Sequence, residues 1–185
     1  MLGDVYSDCD ERMEKAVNVL KKDLSQLRTG RASSAILEPV SVDYYGSKCP
    51  INQVANVSIP EPRLIVIKPF DKNLIETIKK AILTSDIGIT PVDDGNVIRL
   101  AVPALTEENR KKLVKVAKNM AEESKVSIRN IRRDANSTMQ DMEKESLITE
   151  DDYHRGLDEV QKKTDKFVSL IDFVVEKKET EIMEV

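Results

Sequence analysis

The sequence predicts an α+β chain: an antiparallel three-helix bundle interrupted by a small β/α/β module. Three observations predict it. Long stretches at both ends repeat apolar residues every three or four positions, the period of a helix with one buried stripe. The interval 36–104 instead holds all seven prolines, between short runs rich in β-branched residues. And no glycine or proline interrupts residues 104–155, so the second long helix runs unbroken.

The first helix is expected over about residues 4–29, with Val5, Cys9, Met13, Ala16, Val17, Leu20, Leu24 and Leu27 on its stripe. "RTGR" ends it: Gly30 suits a left-handed C-cap and Arg28 the negative helix end. Strands are expected at 40–46, 55–59, 63–69 and 97–103. Between them Asp71 caps a helix with Leu74, Ile75, Ile78, Ala81 and Ile82 inward, and "DDGN" at 93–96 makes a turn. Tyr44 and Tyr45 read as half-buried strand residues ahead of base-stacking ones. Thr106 then caps a helix of about 40 residues, about 60 Å long at 1.5 Å per residue. Its stripe reads Leu113, Ala117, Met120, Ser124, Ile128, Ile131, Ala135, Thr138 and Met142. "SLITEDD" breaks it, and Thr149 with Asp152 forms a capping box for a last helix. That helix carries Tyr153, Leu157, Val160, Thr164, Phe167, Ile171, Val174 and Ile182, with Gly156 as a mild local weakness.

A lone amphipathic helix cannot bury its stripe, so the three pack together. The bundle is therefore residues 1–30 with 105–185, and the inserted domain is 31–104. Two adjacent connections, near 29–31 and 103–105, make a hinge between them.

Composition narrows the function. With 40% apolar residues the chain buries a core, and no window approaches 18 consecutive apolar residues. The N-terminal stretch has early acids and no apolar run of the secretory kind, so a soluble cytoplasmic protein with free thiols at Cys9 and Cys49 is expected. His154 is the only histidine, the cysteines are far apart, and neither a P-loop nor a G-x-S-x-G or G-x-G-x-x-G motif occurs. No constellation for nucleophilic or acid–base chemistry is visible, so a binding protein without cofactor or metal is expected in preference to an enzyme.

The candidate binding residues are cations. Residues 110–133 hold nine Lys/Arg against two acids, a local +7, whereas 137–185 hold seven against fourteen, a local −7; the whole chain is −4. With Ile128 at zero on a helical wheel, Arg132 falls about 40° away, Lys125 about 60°, Lys118 about 80°, Arg129 about 100° and Arg133 about 140°. This arc runs along one side of the buried seam, with Glu123, Asp134 and Asp141 on the far side and only Glu122 inside it. Segregated cations ending in arginines fit phosphate better than an alternating salt-bridge pattern would, because the guanidinium fork donates in pairs. Arg28, Arg31 and Arg110 extend the set. The competing explanation is a solvated helix face paired with acids on the third helix.

"LRTGRAS" (27–33), "VDYYG" (42–46), "SDIGITP" (85–91), "DGNVIRL" (94–100), "RKKLVK" (110–115), "IRNIRRDAN" (128–136) and "EIMEV" (181–185), in this order, resemble the ribosome recycling factor family nearly end to end. The resemblance implies an L-shaped two-domain monomer. It implies binding to the post-termination ribosome, with the bundle on large-subunit rRNA, and subunit separation driven by elongation factor G with GTP bound to that partner. It implies Arg132 as principal rRNA contact, with Arg28, Arg31, Arg110 and Arg129 beside it, and a hinge of Thr29, Gly30, Arg31, Pro103, Ala104 and Leu105. Ser34, Phe70 and Asn109 depart from residues common in the family. A second function class, a helical adaptor that binds partner helices, would instead expose an apolar stripe and associate without salt dependence.

Overall fold

The computed structural model describes residues 1–184. The chain forms two compact units, residues 1–27 with those from Arg110 onward, and Arg28–Asn109.

The first unit contains α1 (Leu2–Ser25), most of α4 (Glu107–Lys144) and α5 (Glu150–Met183). Their mutual direction follows from matched pairs. Met139 and Tyr6 both border Gly156, and Arg12 meets Asp134, so α4 runs opposite to α1. Lys163 meets Asp10, so α5 runs with α1. One core fills the space between them, from Cys9, Met13, Val17, Leu20 and Leu24 through Ile128, Ile131 and Met139 to Val160, Phe167 and Ile171. Burial on α4 steps through Ala117, Ala121, Ser124, Ile128, Ile131, Ala135 and Met139. The expected Thr138 is exposed and Met139 takes its place, since four-residue steps from Ile131 keep the stripe facing its partners. On α5 Gly156 and Val175 are buried where Tyr153, Leu157 and Val174 are only partly so.

Helix ends explain the connections. α1 stops at Ser25, four residues before its expected end. Ser25 Oγ bonds the Lys22 carbonyl, and the Gln26 and Leu27 amides tighten the last turn. Arg28 therefore does not cap α1. Its guanidinium donates to the Ile87 carbonyl at 2.9 Å and the Asp86 carbonyl at 3.1 Å, just past the helix of the smaller unit. α4 ends in a Schellman turn. Ser146 sits at φ 60, with Leu147 N bonding the Met142 carbonyl and Ser146 N the Glu143 carbonyl. The capping box of α5 forms as expected: Thr149 Oγ1 accepts from Asp152 N, and Asp152 Oδ2 from Thr149 N. The Thr149 hydrogen bonds hold the Asp152 carboxyl below its ordinary range, aided by Arg155. A lowered carboxyl stabilises above its unfolded value and stops doing so as pH falls through the folded one, so this cap weakens in acid. Thr149→Ala is expected to cost about 1 kcal/mol in a denaturant melt at neutral pH.

The second unit begins with a 3₁₀ turn at Ser34–Leu37, then β1 (Ser41–Tyr44) and β2 (Ser47–Pro50), one helical turn α2 (Ile51–Val54), β3 (Ala55–Glu61) and β4 (Leu64–Pro69). A 3₁₀ turn capped by Asp71 leads into α3 (Ile75–Thr84), followed by β5 (Pro91–Asp93) and β6 (Ile98–Ala101). The strands form an antiparallel sheet of order β3-β4-β6-β5 and a separate β1–β2 hairpin. Ile67 opposite Ile98 and Ile65 opposite Leu100 are fully buried, and Ile78 and Ile82 of α3 join them in one core. The sequence showed no sign of β2 and β5: one has no buried alternation, the other is three residues at a sheet edge. Tyr44 and Tyr45 are not the half-buried pair expected. They lead into a two-residue turn with Tyr45 at φ 49 and Gly46 at φ 81, the primed turn that suits strand twist, and Tyr45 is 88% exposed.

The units divide at 27/28 and 109/110, where the sequence placed the boundaries at 30/31 and 104/105. Thr29, Gly30, Arg31, Pro103, Ala104 and Leu105 all fall in the smaller unit. Within it Gly30, Arg31, Pro103 and Leu105 line a 170 Å³ cavity with Arg28, Ile36 and Ile87. Gly30 has φ 76, and an added Cβ would lie 3.1 Å from Leu105 Cγ. Gly30→Ala is therefore expected to destabilise this unit by about 1–2 kcal/mol, read as faster amide exchange across β4 and β6.

Candidate nucleic-acid interface

The cations of α4 lie beside its buried seam, so α5, packed on that seam, decides which of them stay available. The two helices form an antiparallel ladder. Lys118 meets Glu179 at 3.7 Å, and Lys125 meets Asp172 at 2.6 Å and Glu122 at 3.4 Å. The Lys125 side chain is only 16% exposed, and the Asp172 hydrogen bond, joined by Glu122, raises its pKa above the ordinary lysine value. Lys125 is thus neutralised within the fold, whereas Lys118, 61% exposed, is only loosely paired.

The arginines are treated differently. Seven residues on, the register would set Asp165 opposite Arg132, but Arg132 Nη1 donates to Gln161 Oε1, one turn further along α5, at 3.0 Å, while Gln161 Nε2 donates to Asp165 Oδ1 at 2.8 Å. The amide fixes one edge of the guanidinium without cancelling its charge. Arg129 reaches only Glu122 of its own helix, at 3.9 Å, with both side chains largely exposed. The exposed Arg133 has no ion pair among the described residues. The carboxylate on the opposite flank, Asp134, is taken by Arg12 at 2.7 Å. Three guanidinium groups within five residues thus face outward with their charge largely uncompensated.

The remaining expected cations lie elsewhere. Arg110, half-buried at the start of the bundle's share of α4, is 22 residues from Arg132, about 33 Å along the axis. Arg28 and Arg31 belong to the other unit. Gln161 was missed, and no sequence signal distinguished it from other polar residues on α5. Asn136, one turn beyond Arg132, was also passed over; its buried Oδ1 has no hydrogen-bond partner. Among the described residues no group of histidine, cysteine or carboxylate side chains could hold a metal, and no helix is long and apolar enough to cross a membrane.

A three-helix bundle with an arginine cluster on its longest helix, and a β/α/β module between its first two helices, defines a class of two-unit α+β proteins with a basic helix flank. Residues 20–183 match the sequence model of the family described as ribosome recycling factor. The chain is 55% identical over its full length to the full-length ribosome-recycling factor of Syntrophomonas wolfei, and 54% identical, again full length to full length, to that of Carboxydothermus hydrogenoformans. Its structure is similar to the solution structure of a ribosome recycling factor, with a TM-score of 0.79 and 42% identity over 100% of this chain and 98% of that one. It also resembles, at a TM-score of 0.67 and 42% identity over both full chains, the T. thermophilus factor in models of that protein and E. coli elongation factor G bound to the E. coli post-termination complex. The chain belongs to the ribosome recycling factor family.

Proposed function

We propose that this chain binds the post-termination ribosome through the arginine cluster of α4 and, together with elongation factor G and GTP, splits the subunits so that they can be reused. The observation that carries the site is the graded ladder between α4 and α5: carboxylates at Lys118 and Lys125, an amide at Arg132. Family membership over the full chain and the neighbour described on the post-termination complex support the activity.

Arg129, Arg132 and Arg133 lie over rRNA phosphates, where paired N–H donors fix the orientation of the bundle without reading base sequence. Lys118 and Lys125 add a weaker field because their charges are shared with α5. Arg110 anchors the far end of the helix, while Arg28 and Arg31 act from the smaller unit. The chain is no enzyme: it works as a strut, and the free energy for splitting comes from nucleotide on the partner factor. It acts in the cytoplasm as a monomer. The connections at 29–31 and 103–105 let the smaller unit shift while the bundle stays docked.

The adaptor reading loses ground because the apolar stripes of the three helices are spent on one another. Co-sedimentation with ribosomes across a salt series separates the two. Binding that falls steeply with salt, at a log–log slope of about −0.7 to −0.9 per phosphate contact, is the expected result; flat binding would favour the adaptor.

A further inference from the structure

On the bundle flank away from the arginines, α1 and α4 leave a groove of about 280 Å³ floored by Ala16, Leu20, Met120 and Ser124. Asp23 of α1 and Glu123 of α4 stand at its edges, both exposed, and neither has an ion pair among the described residues. Ser124 is 92% buried, and its hydroxyl has no hydrogen-bond partner. A buried hydroxyl left unpaired is costly, and a donor entering the groove would relieve it. Val19, 59% exposed, adds apolar surface at the rim.

The same seam shows what fits such a place. Eleven residues back along α1 and eleven forward along α4, about three turns on each, Arg12 lies between Asp8 and Asp134, at 3.5 and 2.7 Å. There the chain supplies its own guanidinium. By the same offset Glu123 stands where Asp134 does, but Asp23 stands where Arg12 does, so at this level a carboxylate faces a carboxylate and no cation among the described residues lies between them.

We propose that this groove takes a lysine or arginine side chain of a protein partner, its aliphatic stem on Ala16, Leu20 and Met120, its charged head between Asp23 and Glu123 with one N–H donated to Ser124 Oγ, and a neighbouring apolar residue of that partner on Val19. Two uncompensated carboxylates repel phosphate, so nucleic acid does not suit this flank. The apolar floor and rim suit a side chain with an alkyl stem better than a bare ion.

The test is an NMR titration of the full chain with the peptide acetyl-Leu-Arg-Leu-Arg-Leu-amide. Saturable amide shifts confined to residues 16–23 and 120–127 are expected. Asp23→Asn with Glu123→Gln should weaken binding by about tenfold or more, leaving other amides in place. Glu14→Gln with Asp158→Asn, which removes the same charge elsewhere, should not weaken it. Shifts spread over the acidic face of α5, equal binding by both double variants, or tighter filling of the groove by spermidine or an RNA hairpin would each overturn the proposal. No ribosome is present in the titration, so failure here leaves the recycling function standing.

Discussion

Replacing Arg129, Arg132 and Arg133 together by alanine is expected to leave the bundle folded and strip it of most of its ribosome affinity. The folded chain loses little. Arg132 gives up one exposed hydrogen bond to Gln161, Arg129 gives up a 3.9 Å pair, and Arg133 gives up none. Exposed contacts of this kind are worth about 0.5 kcal/mol or less. Binding loses three charge-assisted contacts. At about 1 kcal/mol each the affinity falls roughly a hundredfold, and the salt slope flattens by about 2 to 3. Arg132→Ala alone should flatten it by about one phosphate. Lys125→Ala is the informative contrast: it removes a mostly buried lysine stem and its 2.6 Å pair with Asp172 from the α4–α5 seam, so its cost should fall on stability more than on ribosome binding. A triple variant that co-sediments with ribosomes like the unaltered chain would remove the site from α4.

The largest expected loss of stability comes from a glycine. Gly156 is buried where all three helices meet, and a Cβ there would lie 2.6 Å from Met139 Sδ and 3.4 Å from Tyr6 Oη. Two effects oppose each other in Gly156→Ala. Helix propensity favours alanine by about 1 kcal/mol, while overpacking a filled core costs about 1–3 kcal/mol. The thioether is flexible, so the alanine variant should come out near the unaltered chain. Gly156→Val cannot be absorbed in this way and should cost about 3 kcal/mol. Met139→Ala removes the obstruction, so in that background Gly156→Ala should stabilise. The double-mutant cycle, read from urea midpoints, measures the coupling directly. An additive cycle would mean that Met139 is not what keeps position 156 bare.

Most of the bundle was legible because its signal is local: apolar steps of three and four over many turns leave little room for another structure. The Thr149–Asp152 cap was legible for the same reason, both partners lying within one turn. The end of α1 was misjudged because Gly30 and Arg28 looked like capping residues. Their actual partners, Leu105 and the carbonyls at 86 and 87, are distant in sequence. The stop after α4 was legible in "SLITEDD", but its turn geometry was not, because serine and not glycine takes the left-handed position at 146. At the candidate site the arc of cations could be drawn from periodicity alone. Which of them keep their charge could not, because that depends on the residues α5 places opposite, and Gln161 differs from Asp172 only once the register is fixed.

The insertion of the smaller unit bears on how the chain folds. Neighbouring antiparallel helices are normally joined by a few residues, yet α1 and α4 are joined by roughly eighty. Left as random coil, that segment would raise the entropic cost of closure by about 2–3 kcal/mol over a short turn. Once folded, it packs Gly30 against Leu105, so its entry and exit are already side by side and it behaves as a tight connection. Assembly of the long helices is thus coupled to the module's own folding, and damage confined to the module's core is felt in the bundle without altering any residue there.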